Sequence, residues 1–148
     1  MRGLVYGTRK ELDKAVEDFK TVLEHGEKHW AVYNDLAWIY FQKGDYKKTE
    51  EIARDGLEFN QGNAWLLTSL GVALLNQDKP PHLCDKCGGK KEEARKVLEG
   101  AAAAAALLAE ADWQKAYPGN DPAWSQTGLE KMKETIEFNI SLVQGERQ

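Results

Sequence analysis

The feature that most constrains this chain is a recurrence at a spacing of 34 residues. Leu23-Glu24-His25-Gly26 returns as Leu57-Glu58-Phe59-Asn60, and Leu12 returns as Tyr46. Tyr6 returns as Tyr40 and then Leu74, and Gly3 as Ala37 and then Gly71. A fixed period of this size marks stacked supersecondary units, because one unit cannot bury its apolar face alone. Such a stack is suited to holding another molecule rather than transforming it.

Within each period the apolar residues fall at helical spacing. Leu12, Ala15, Val16, Phe19, Val22 and Leu23 predict a helix over about 10–25. Trp30 to Gln42 is a second, stopped at Lys43-Gly44-Asp45, where glycine can take the left-handed cap conformation. Tyr46 to Phe59 is a third. Asn60-Gln61-Gly62-Asn63 is a turn, with Asn63 placed to N-cap a fourth helix reaching about Gln77.

The period then breaks. Thr49 and its counterpart Ala94 are 45 residues apart, so extra residues lie between Asn76 and Lys91. Lys79-Pro80-Pro81 stops the fourth helix there, and Gly88-Gly89 would permit a tight reversal. The next helix, from about Lys91, meets no stop signal before Pro118-Gly119 and crosses the strongly helix-forming run Ala101 to Ala106. Either Asp121-Pro122 or Thr127-x-x-Glu130 opens the last helix, whose apolar stripe is Leu129, Met132, Ile136, Ile140 and Val143. Met1 falls inside the first unit's opening helix, so that helix is short here or the chain is a segment of something longer.

The residues at these spacings resemble the tetratricopeptide repeat family, a helix–turn–helix unit. Tyr33-x2-Leu36-Ala37-x2-Tyr40, Gly44-Asp45-Tyr46 and Thr49-x3-Ala53 fill one unit. Leu67-x2-Leu70-Gly71-x2-Leu74 and Ala94-x3-Leu98 fill the next, while Gly3-x2-Tyr6, Leu12 and Ala15-x3-Phe19 form an earlier half-unit. The family's closing proline is replaced by Glu27 and Gln61, and Thr49 stands where a small apolar residue is usual.

The resemblance implies an all-α, right-handed superhelix of about two and a half such hairpins, with a long Ala-rich helix and a C-terminal capping helix. The whole of 1–148 then forms a single domain: a half repeat over 1–29, a repeat over 30–63 and a repeat over 64–106. An insertion at about 79–89 interrupts the last of these, and residues 107–148 form a capping region.

The resemblance also implies a concave face lined by the first helix of each pair. Away from the buried Tyr33, Leu36, Ala37 and Tyr40, that face would present Asn34, Trp38 and Phe41 in one unit. The next would present Trp65, Thr68, Val72 and Leu75. Apolar residues gathered on a surface expected to be solvated mark a binding patch. A partner peptide or helix would anchor on Trp38 and Trp65. The competing reading is that the chain's own C-terminal helices pack there. Some family members clamp a C-terminal carboxylate with basic residues on this face. Here only Asn34 matches that pattern.

Composition narrows the classes further. A net charge of -4 with no dense Lys/Arg cluster argues against nucleic acid and anionic membranes as partners. The apolar stretch from Gly100 to Ala109 is too short to span a bilayer, and Arg9 and Lys10 follow the N-terminus too soon for a secretory signal. A soluble cytoplasmic protein is expected. No Ser/His/Asp set, phosphate loop or convergent carboxylate pair is evident, so no catalysis is expected.

Glu50-Glu51, Glu92-Glu93, Lys86, Lys90 and Lys91 read as solvated charges, and His25 and His29 as residues satisfying backbone carbonyls. Asn139-Ile140-Ser141 has only the form of a glycosylation site.

The insertion is the alternative functional locus. Cys84-Asp85-Lys86-Cys87-Gly88 has the form of a zinc knuckle, and His82 adds a third donor. Asp85, water or a second chain would supply the fourth ligand, so a homodimer sharing the ion is one arrangement. His25 and His29 lie a helix length away, roughly 20 Å. Thiol redox chemistry is a further reading, although the helix N-terminus that would lower a cysteine pKa is missing. The bland reading is a tolerated loop. A segment so poor in apolar residues cannot offset its ordering entropy, so it should order only with metal bound.

Overall fold

The computed structural model describes residues 9–26, 29–77, 88–119, 121 and 123–145. It is all-α. Seven helices are found among the described residues: α1 (Arg9–Glu24), α2 (Trp30–Gln42), α3 (Tyr46–Phe59), α4 (Ala64–Gln77), α5 (Gly88–Ala106), α6 (Glu110–Ala116) and α7 (Ala123–Gln144).

The ends of α2, α3 and α4 follow from local chemistry. Gly44 sits at φ +75°, where a side chain would be strained, and its N–H closes on the Phe41 carbonyl. Asp45 caps α3 by accepting from Lys48 N–H at 3.1 Å. Asn63 caps α4 by accepting from Leu66 N–H at 3.0 Å. His29 caps α2 by accepting from Ala31 N–H at 3.3 Å. That corrects the expectation that His29 serves a carbonyl.

Packing is sequential: α1 on α2, α2 on α3, α3 on α4, α4 on α5, then α7 on α5. α4 also touches α2, and α7 touches α4 in turn. α7 therefore takes the place that the opening helix of a further unit would hold.

The core is continuous along this stack. Leu36, Leu66, Leu74, Leu98 and Ile136 are wholly buried, each contributing about 1.5–3 kcal/mol by the area it removes from water. Gly71 lets α5 come close, since a Cβ there would lie 2.6 Å from the Leu98 side chain. Ala101 and Ala105, one turn apart on α5, do the same for Leu129, Met132 and Ile136 of α7. Thr49 is tolerated at its buried position because its hydroxyl donates to the Asp45 carbonyl at 3.0 Å.

The structure corrects three further expectations. The helix over the alanine run does not continue to Pro118. It ends at Ala106, and Ala109 restarts the chain in extended conformation with its N–H donating to the Asp112 carboxylate at 2.9 Å. Gly88 and Gly89 are the first residues of α5 rather than a reversal. They sit in the opening turn, where backbone N–H groups have no intrahelical partner in any case.

Finally, Glu50 and Lys90 are not merely solvated. The Glu50 carboxylate accepts from Lys90 Nζ at 2.6 Å, from Gln77 Nε2 at 2.8 Å and from Arg54 Nη2 at 2.9 Å. Arg54 also reaches Glu93 at 2.5 Å, so one network ties α3, α4 and α5. Burial would raise the Glu50 pKa, but the hydrogen bonds from Lys90, Gln77 and Arg54 outweigh it and bring it to about 2.

A groove between α2, α4 and α7

The three helices in opening positions, α2, α4 and α7, wall a groove of about 280 Å³. Asn34, Trp38, Phe41, Trp65, Thr68 and Val72 line it, as the sequence pattern expected. Leu75 does not. It packs against the buried cluster that includes Leu98 and Val143, because one further step around α4 turns it away from the cleft. Val72 lines the groove yet is itself buried, so it forms the floor rather than an exposed rim. Trp38 remains exposed: it is 39% accessible and stacked on Phe41, with ring centroids 5.4 Å apart and planes within 10°.

Sequence reasoning missed the far wall. Met132, Thr135 and Asn139 of α7 face the groove, joined by Ser69 and Asn76 of α4. Met132 was visible only as a core residue of the last helix. Thr135 and Asn139 continue its stripe at helical spacing and carried the signal, had α7 been placed beside α4.

The groove is shorter than the concave face. At the N-terminal ends of α2 and α4, the chain fills its own surface. Trp65 stacks on Trp30 at 5.0 Å, and meets Trp113 at 5.6 Å and Tyr117 at 6.1 Å, both brought there by α6. The Tyr117 hydroxyl accepts from Asn34 at 3.3 Å, and Asn34 accepts from Ser69 at 3.2 Å, so the tyrosine is keyed to both opening helices.

Burial, with the charge of Asp35 adding to it, pushes the Tyr117 hydroxyl pKa well above its ordinary value, so it stays protonated. Trp113 lies flat against α7 at Gly128, where a Cβ would come within 2.4 Å of the indole. The break after Ala106 is what allows this docking. Trp65 thus packs against the chain's own Trp113 and Tyr117, which cover that end of the concave face, while the groove beside Trp38 stays open.

The indole N–H groups of Trp65 and Trp113 are buried without a hydrogen-bond acceptor. Neighbouring ring faces are the weak acceptors at hand. A second, shallower depression of about 390 Å³ lies where His29, Trp30, Asn60 and Asn63 face Asp112 and Lys115 of α6. The zinc candidates His82, Cys84 and Cys87 lie outside the described residues. Among those described, no cluster of three metal-binding side chains forms, and no helix is long and apolar enough to cross a membrane.

With this geometry in place, comparison with known proteins identifies the unit. The tetratricopeptide repeat family profile matches residues 31–63, which span α2, α3 and the turn that follows. Among curated proteins, the chain is similar to the cattle (Bos taurus) protein described as "BBSome complex member BBS4", at 37% identity over 73 residues. That stretch is 49% of this chain and 14% of the relative, so the chain spans a small part of the relative's length.

Proposed function

We infer that this chain, a tetratricopeptide-repeat protein, is a non-catalytic interaction module whose groove between α2, α4 and α7 takes a segment of a partner polypeptide. Tetratricopeptide repeats generally mediate contacts between proteins. The relative's description as a member of a complex fits the same role. The observation that carries the reading is Trp38, a large aromatic left 39% accessible over a cleft whose other walls are complete. Buried aromatic anchors in pockets carry most interface energy, and Trp38 with Phe41 supplies one ready for burial.

The groove's size refines the reading. About 280 Å³ lies just below the roughly 300–1,000 Å³ of drug-sized sites, which suits an inserted side chain of an extended peptide or helix rather than a whole helix. Trp38→Ala tests it. Partner capture should fall by at least about 2 kcal/mol, the scale of a hot-spot residue, with helicity unchanged. Capture that survives this substitution would point elsewhere on the chain.

Zinc held by His82, Cys84 and Cys87, with Asp85, water or a second chain completing the site, stands as a separate proposal resting on spacing alone. A cytoplasmic setting belongs with it and rests on composition.

A further inference from the structure

We propose that the groove between α2, α4 and α7 recognises a basic side chain, lysine or arginine, projected from the partner peptide; this rests on the groove being the binding surface. Three features converge on that chemistry.

The first is the hydrogen-bonding balance of the lining. Each hydroxyl has a single proton, and all four described hydroxyls spend it within the chain. Thr49 donates to Asp45 O, Thr68 to Ala64 O at 2.7 Å, Thr135 to Lys131 O at 2.7 Å and Ser69 to Asn34 Oδ1. Asn76 and Asn139 each donate to a backbone carbonyl, Val72 O and Thr135 O, both at 2.7 Å. A carbonyl partner fixes which end of each amide is nitrogen, so Oδ1 is left as the acceptor. Oxygen lone pairs therefore outnumber N–H groups among the described lining residues, and a ligand rich in donors completes them.

The second feature is the ring pair. The indole of Trp38 is accessible and backed by Phe41, and the face of a tryptophan is the strongest aromatic partner for an ammonium or guanidinium group. The third is position. Phe41 and Asn76 sit one residue before the ends of α2 and α4, so this part of the lining lies at two helix C-termini, where the backbone dipoles favour a cation; Thr49, near the N-terminus of α3, is wholly buried. No ionisable side chain is among the described lining residues to repel it. Val72, Phe41 and Met132 meanwhile offer apolar surface along which the aliphatic stem of lysine or arginine can lie. A carboxylate would meet oxygen lone pairs, a ring face and helix C-termini, all unfavourable.

A random peptide library displayed on phage, selected on the intact chain, tests this. Enriched sequences should share a lysine or arginine beside apolar residues. For a synthetic peptide from that set, replacing the basic residue by norleucine should weaken binding by about tenfold, the scale of a partly desolvated cation–π contact. Asn76→Asp, which adds charge at an exposed position, should tighten the lysine peptide.

If norleucine binds as well as lysine, or acidic peptides are enriched, the cation inference fails. The groove reading survives that result provided Trp38→Ala abolishes the binding. If nothing is enriched, or enriched peptides bind Trp38→Ala as well as the parent chain, the groove reading itself fails, and this inference with it.

Discussion

Two carboxylates of this chain have their pKa values shifted in opposite directions, one by burial and one by hydrogen bonds that outweigh burial, and the difference is measurable. Asp35, half-buried on α2, has its pKa raised to about 6 because burial disfavours its charged form. A carboxyl whose folded pKa lies above the unfolded value of about 3.9 binds more protons folded than unfolded between those values. Its contribution to stability is therefore greatest below about pH 4 and is lost as pH rises through 6. Asp35→Asn should raise the melting temperature above pH 7 by on the order of 5 °C and leave it unchanged near pH 4.

Glu50 is the reverse case. Its folded pKa is about 2, so its contribution is present above the unfolded value and is lost as pH falls from about 4.5 to 2. Glu50→Gln should flatten the acid limb of a thermal-melt series across pH. An unchanged acid limb would mean the bonds to Lys90, Gln77 and Arg54 contribute little in solution.

Among the elements, α6 is the one the sequence concealed, and it decides how much of the concave face stays open. The period of 34 placed α2, α3 and α4 to the residue, because apolar spacing, glycine at a left-handed cap and Asp or Asn at N-caps all agreed there. The break after Ala106 carried no such agreement. Alanine is the best helix former, and nothing near Leu107-Leu108 stops a helix locally. What ends it is tertiary: Trp113 and Tyr117 gain Trp65, Asn34 and the flat surface at Gly128. Propensity cannot report a partner that is distant along the chain.

Gly128→Ala probes this docking. In an exposed helix that change stabilises by about 0.5–1 kcal/mol. Here it should destabilise by about 1–3 kcal/mol and shift tryptophan fluorescence to the red as Trp113 leaves its slot. A stabilised, unshifted variant would show that α6 is not held there.

For the whole molecule, the all-α architecture and the α2 and α4 walls of the concave face followed from the repeat, whereas α7 as the third wall and the partner did not. Trp38, Phe41 and Val72 were legible because they recur on the face opposite the buried pattern. Thr135 and Asn139 were not, since their role depends on α7 standing in the place of a further unit. The insertion is separately testable. Elemental analysis of chain purified without a His-tag should find about one zinc per chain for a closed site, or about one per two chains for a shared one. Freely titrating thiols without metal would leave a plain loop.

The most direct test of the central claim compares two neighbouring positions on α7. Asn139 lines the groove, while Phe138 is 62% accessible on the outer surface. A photo-crosslinking residue placed at 139 should join the chain to its partner, and the same residue at 138 should not. Crosslinking from 138 alone would place the partner on the outer face of α7 and contradict the account.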